Sequence, residues 1–416
     1  MTLPVSVIII LIGLLVFFGH YLHGIFERHS IPDVLGLMLI GMLLGPISKI
    51  IDPNDFGQFG PVFSNFVLIF ILFESGTDLR IDQIKATFAN TAGLTFFGFL
   101  TTTLSLSYLC WLVFHLNPLS CLFIGSALGG TSSAVVVGLV RKLKVSESVS
   151  TTLIMESAET DVFTLAIPLS ILGLMTDMEM SAGLVLSQFF SALVMAVLIG
   201  MGGAFLWSFI LNKSPKLKLT KFSTPAFLFI LYGIAEYLSF SGPLTALSFG
   251  IAIGNLKYLE PKFVERLIPN QRIVLPRSER VFFGELIFLL RIFFFIFIGI
   301  SIRIDRIDWL INGAFITAAL IFVRIFLIRI IRPRNEPLMD KATLSIMIPK
   351  GLGAAVIATL PMQSGLPDGP IIQAVGFSII LFSTLYCVLL FFLLRTGASL
   401  PFYRFVFGKD KTVKTE

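Results

Sequence analysis

Gly129-Gly130-Thr131-Ser132-Ser133 breaks an apolar run that extends from 118 to 140, and Pro349-Lys350-Gly351-Leu352-Gly353 breaks another from 341 to 361. Each break sits near mid-run. Each is followed by a similar small-residue stretch, Ala134-Val135-Val136-Val137-Gly138 in one case and Ala354-Ala355-Val356-Ile357-Ala358 in the other. A single break of this kind says little, because Gly and Pro are frequent in membrane helices. Paired breaks in corresponding places point to an inverted repeat with two discontinuous helices meeting at the bilayer midplane.

The surrounding sequence supports a membrane reading. Hydrophobic residues make up 56% of the 416 and charged residues only 13%, against roughly 25% charged in a soluble domain. Such a chain cannot cover a water-facing globule, so the bilayer is its solvent. About 20 apolar residues cross the hydrocarbon. Runs of that kind fall at 4–23, 31–50, 61–78, 88–114, 118–140, 148–175, 181–211, 223–239, 241–256, 281–302, 308–331, 341–361 and 370–395. The weakest separation is at Ser241-Gly242-Pro243, where one kinked helix competes with two. Leu3–Tyr21 has no basic n-region or small-residue cleavage site and reads as a retained helix rather than a signal peptide.

Counting loops alternately, one set with the C-terminal end carries 24 Lys and Arg residues; the other carries Lys49, Arg303 and Arg306 alone. The positive-inside rule then gives thirteen spans in a multi-pass inner-membrane protein, N-terminus outside and C-terminus cytoplasmic. In this topology the two broken spans run in opposite directions. The expected fold is an all-α membrane protein of about 13 transmembrane helices, with inverted repeats and two discontinuous helices.

Several function classes drop out. The net charge of +6 lies in short loops between apolar runs, which argues against a nucleic-acid partner. Cys110, Cys121 and Cys387 lack CxxC spacing, and the four histidines are scattered, so neither a disulfide frame nor a metal centre is expected. No GxGD run marks an intramembrane aspartyl protease. No cofactor is implied.

Ionisable groups inside the hydrocarbon cost at least about 2.5–3.5 kcal/mol each, so those that remain are informative. The sixth span carries Met155-Glu156-Ser157-Ala158-Glu159-Thr160-Asp161. At roughly 100° per residue, Glu156 and Asp161 fall on separate flanks, so one carboxylate is free to be structural while the other faces a cavity. Arg324, in the eleventh span, needs a carboxylate partner, and Glu156 is the best candidate. Lys350 stands in the twelfth-span break, placed to offset helix C-terminal dipoles or a carboxylate. Asp161 is the candidate for a buried acid that binds either a proton or a hard cation. Ser157 lies one turn away, and Thr131 and Ser132 offer oxygens from the unwound fifth span. Glu74 near the inner end of the third span is divided evenly between a cavity-mouth role and a snorkelling interfacial carboxylate.

Phe73-Glu74-Ser75-Gly76-Thr77-Asp78-Leu79, Gly129-Gly130-Thr131-Ser132-Ser133-Ala134-Val135-Val136 and Glu156-Ser157-Ala158-Glu159-Thr160-Asp161 resemble the monovalent cation:proton antiporter superfamily. Its sodium/proton exchanger branch, with a Glu-Ser-x-x-Asn-Asp signature on the sixth helix, is the most similar. The resemblance implies two crossed discontinuous helices in the core and exchange of Na⁺, possibly Li⁺, for H⁺ by elevator-like alternating access in a homodimer, with pH homeostasis as the setting. It implies scaffold helices at 1–87 and 212–302, core helices at 88–180 and 303–396, a linker helix at 181–211 and a short tail from 397. It places Asp161, Ser157 and Thr131 as Na⁺ ligands, Glu156 with Arg324 as a structural pair, and Lys350 where the family often has Arg. Thr160, counted with Asp161, Ser157, Thr131, Ser132 and Glu74 among the candidate ion- or proton-binding residues, departs from the pattern, standing where the exchangers have Asn and strongly electrogenic relatives a second Asp. One exchangeable carboxylate implies electroneutral exchange, a count that Glu159 leaves open. The competing expectations are a K⁺/H⁺ antiporter, and a sodium-coupled symporter or channel on the same scaffold.

Overall fold

The computed structural model describes residues 10–24 in part, 32–53, 59–78, 81–140, 145–176, 182–214, 222–256, 277–333 and 336–408. The start of the first span, the basic loops at 141–144, 215–221 and 257–276, and the lysines of the tail lie outside the described residues.

Among the described residues the regular structure is entirely helical. After the partly described first helix come α1 (Asp33–Met42, prolonged by a π turn at Leu43–Ile47), α2 (Phe59–Asp78) and α3 (Ile81–Phe114). The fifth rod is two helices, α4 (Pro118–Ala127) and α5 (Ser133–Val140). Then follow α6 (Glu147–Thr176), α7 (Ala182–Lys213), α8 (Ser223–Tyr237), α9 (Gly242–Gly254), α10 (Arg277–Ile300) and α11 (Ile307–Ile331). The twelfth rod is again broken, into α12 (Leu338–Ile346), α13 (Leu352–Ile357) and α14 (Leu360–Gln363). α15 (Gly369–Arg395) and a short α16 (Leu400–Phe407) complete the chain. The described rods follow the apolar runs. The doubtful join at Ser241 is a true break, since the Ser241 hydroxyl accepts from Leu244 N and Pro243 occupies the first turn of a new helix.

α11 shows how the sequence sets the packing. Phe315, Phe322, Phe326 and Ile330 are exposed, while Gly313, Thr317, Leu320 and Arg324 form a buried stripe at helical spacing. A helix with large apolar groups outside and a cation inside is solvated by lipid, not water. Among the described residues, six helices are long and apolar enough to cross a bilayer alone, and five shorter apolar segments accompany them.

α1 packs on α10, and α2 on α9. At the first crossing a methyl added to Gly41 or Gly299 would strike the facing backbone, so only glycine permits the approach. A second set of contacts joins α3 to α4, α6 and α11, and α11 to α12 and α15. Between the π turn and the end of α10 on one side, and α14 and the start of α15 on the other, lies a cavity of about 1110 Å³. Lys49, Asp52, Arg303 and Asp305 line its rim, and Thr359 and Gln363 its core wall.

Candidate functional site

The two helix breaks meet. Residues 128–132 and 347–351 are unwound, and Ser132 N donates to the Pro349 carbonyl at 2.7 Å. Each break leaves a helix C-terminal end with unsatisfied carbonyls and a helix N-terminal end with unsatisfied N–H groups in the middle of the protein. The C-terminal ends of α4 and α12 carry partial negative charge, which favours cations there.

Both ends receive one. Lys350 Nζ donates to the Gly130 carbonyl at 2.9 Å, just past the end of α4. Arg324 Nε donates to the Leu344 carbonyl in the last turn of α12 at 3.1 Å. The same guanidinium forks onto Glu156 of α6, Nη2 to Oε2 at 2.7 Å and Nη1 to Oε1. Lys350, Arg324 and Glu156 are 2%, 4% and 2% exposed. At that burial an ion pair is maintained only with satisfied geometry, and the bidentate fork with its third bond to a carbonyl supplies it. The backbone N of Lys350 is also fixed, donating to Ser383 Oγ on α15 at 3.1 Å.

α6 holds the crossing from the other side. Thr160 Oγ1 accepts from Thr131 N and donates to the Ser157 carbonyl, both at 3.2 Å. Gly130 lies so close to α6 that a Cβ there would meet Thr160 Cβ at 2.9 Å. Thr160 and Thr164 therefore mark the α6 face turned to the fifth-rod break. Leu165 marks the neighbouring face, since it approaches Gly353 of α13. Asp161 is one turn before Leu165 on that face and is half-buried. Ser157, fully buried one turn earlier, donates its hydroxyl to the Ile154 carbonyl at 2.9 Å.

The remaining sequence candidates separate. Thr131 is held through its N–H, while the Ser132 carbonyl is taken up by Val136 N at 2.9 Å, inside the first turn of α5. Glu74 is half-buried on α2, which packs against both α6 and α13. Thr131, Thr160, Glu156, Arg324 and Lys350 share the lining of a cavity of about 10 Å³, the size of one water; Asp161 is not part of that lining. Sequence reasoning did not find Ser383, the Gly130 and Leu344 carbonyls, or the bridging role of Thr160. The signal for Thr160 was its departure from the motif.

Over residues 3–396 the chain matches the family described as sodium/hydrogen exchanger, transmembrane. It belongs to that family. The sodium/hydrogen exchanger family comprises secondary transporters rather than enzymes, and the chain is a multi-pass integral membrane protein. It is 25% identical to the K⁺/H⁺ antiporter NhaP2 of Shewanella oneidensis over 86% of its length and 61% of that protein's. It is 23% identical to the K⁺/H⁺ antiporter NhaP of Alkalimonas amylolytica over 92% of its length and 65% of that protein's. Sodium/hydrogen exchanger 8 of Rattus norvegicus is 24% identical, over 92% and 69%. The chain thus spans about three fifths of the bacterial relatives' length. The sodium proton antiporter MjNhaP1 of Methanocaldococcus jannaschii has the same fold, with a TM-score of 0.73 at 19% identity, covering 97% of this chain and all of that one.

Proposed function

We propose that this exchanger-family protein swaps a monovalent cation for protons, with Asp161 binding one or the other. The observation that carries the reading is the crossing of two unwound segments, joined from Ser132 N to the Pro349 carbonyl at 2.7 Å, against the helix that bears Asp161. A hard cation leaving water needs oxygens in place of its hydration shell, and a carboxylate beside free carbonyls and hydroxyls supplies them. Ser157 and Thr131 supply the auxiliary oxygens in this reading, with Glu74 at the approach. Thr160, engaged with Thr131 N, shapes the site instead of ligating. Glu156 and Arg324 are its fixed frame. Lys350 balances charge at the crossing when the cation is absent.

Na⁺ is the proposed substrate, supported by the exchanger-like sixth-helix motif and by the names of the solved neighbour and the rat relative. The K⁺ reading has its own support in the names of the bacterial relatives. One carboxylate exchanging one H⁺ for one cation moves no net charge, so a membrane potential, which does about 2.3 kcal/mol of work per charge per 100 mV, leaves it unaffected. The α3–α6 and α11–α15 helices form the moving core in this reading, and α1, α2 and α8–α10 a dimerising scaffold. The cavity bordered by Lys49 and Arg303 is the outer access route in the inner membrane. The test is proteoliposomes with an internal pH dye, given Na⁺, Li⁺ and K⁺ in turn. A pH change driven by one cation and unaltered by a valinomycin clamp supports electroneutral antiport; no pH change with any of the three overturns it.

A further inference from the structure

The last helix is amphipathic in a way that the ion site does not explain. Four residues separate α16 from the end of α15, so it starts at the membrane surface on the side with the dense basic loops. One face is seated on the protein. Tyr403 is 1% exposed and stacks against Phe407 at 6.2 Å, and Lys341 of α12 lies over the Phe407 ring at 5.6 Å. The opposite face is bare, with Phe405 89% and Phe402 44% exposed beside an exposed Arg404, and with the exposed Arg395 just upstream. Lys409, Lys411 and Lys414 follow in the sequence. Exposed aromatics with several cations on a short surface helix match one partner, a bilayer surface bearing anionic headgroups.

The seat of α16 is also mechanically placed. Lys341 belongs to the first turn of α12, where its neighbour Asp340 accepts from Ser146 N at 3.1 Å, in the loop that leads into α6. The last turn of α12 carries the Leu344 carbonyl held by Arg324, and the chain runs on to Lys350 at the crossing. We propose that α16 docks on anionic lipid of the inner leaflet, and that its seat on α12 transmits lipid charge to the exchange rate. The second half of this proposal rests on the antiport reading; the first half does not.

The test therefore has two arms. Phe405→Cys carries a polarity-sensitive fluorophore, and labelling is selective because Cys110, Cys121 and Cys387 are buried. The full chain is reconstituted in phosphatidylcholine, alone or with about a third replaced by phosphatidylglycerol. Blue-shifted emission, quenched by headgroup-spin-labelled lipid and stronger in the anionic vesicles, is the expected result. Emission typical of water in both vesicles overturns the docking, as does a shielded probe that the lipid quencher cannot reach, which would mean a second copy of the chain covers the face. In the transport arm, wild-type exchange rises about threefold in the anionic vesicles, and Arg404→Glu with Phe405→Glu brings the ratio of rates to one. A ratio unchanged by the variant overturns the coupling. Absence of exchange in every lipid would count against antiport itself, with the fluorescence arm still deciding the docking.

Discussion

The two broken rods occupy equivalent places in the repeat, yet their C-terminal ends are neutralised differently. At α12 the cation is Arg324, reaching in from α11 as a planar fork already locked to Glu156 of α6. At α4 the cation is Lys350, which comes from the opposite break and meets the neutral Gly130 carbonyl. A guanidinium in a bidentate pair is a fixed element, whereas an ammonium on a four-carbon stem is a mobile point charge. The repeat is therefore symmetric in backbone and asymmetric in charge. One crossing end is locked by a bidentate ion pair; in the proposed antiport the other, held by Lys350 alone, is the end that would respond to a cation or proton.

The first way to break this comparison removes the acid proposed to take up the cation or proton that the Lys350 end would answer. Asp161→Asn is expected to bring exchange down to the rate of protein-free vesicles, with the thermal unfolding midpoint unchanged. Next in size is the fixed end. Glu156→Gln or Arg324→Gln leaves a buried charge unpaired and should destabilise the protein by about 3–5 kcal/mol, read from thermal or chemical unfolding in detergent. Replacing both by Leu should cost less than either single change; two well-folded single variants would remove the fixed frame. Lys350→Gln sharpens the contrast. It loses one charge-assisted bond to a carbonyl, worth about 1.5–3 kcal/mol, and should alter the pH profile of exchange more than stability. A stability loss equal to that of Arg324→Gln would erase the distinction between the two ends. The smallest effect is at Thr160. Thr160→Val removes the acceptor for Thr131 N at about 1–3 kcal/mol, and Thr160→Ser should restore most of it.

Much of this was legible in the sequence because the bilayer imposes it. Hydrocarbon forces apolar runs of fixed length, so the described rods and both breaks could be read from residue types alone. The Glu156–Arg324 partnership was legible for the same reason, since two buried opposite charges have few alternatives to each other. The third bond of Arg324, to the Leu344 carbonyl, was not, and neither was Lys350 on Gly130. Both depend on where two unwound backbones cross, which no periodicity encodes. The bridging of Thr160 between Thr131 N and the Ser157 carbonyl was hidden likewise, as a threonine hydroxyl has too many local acceptors for sequence to choose among. α16 read as a plain tail because eight residues after a span carry too short a pattern to distinguish from a loop.

The most direct test of a single acid shared between proton and cation is the half-saturating cation concentration of exchange, measured in reconstituted vesicles across a series of pH values. On the acid side it should rise about tenfold for each unit of falling pH while the maximal rate holds level, as competition for one carboxylate requires. A half-saturation indifferent to pH, or an Asp161→Asn protein that still shows the acid-side rise, would contradict it.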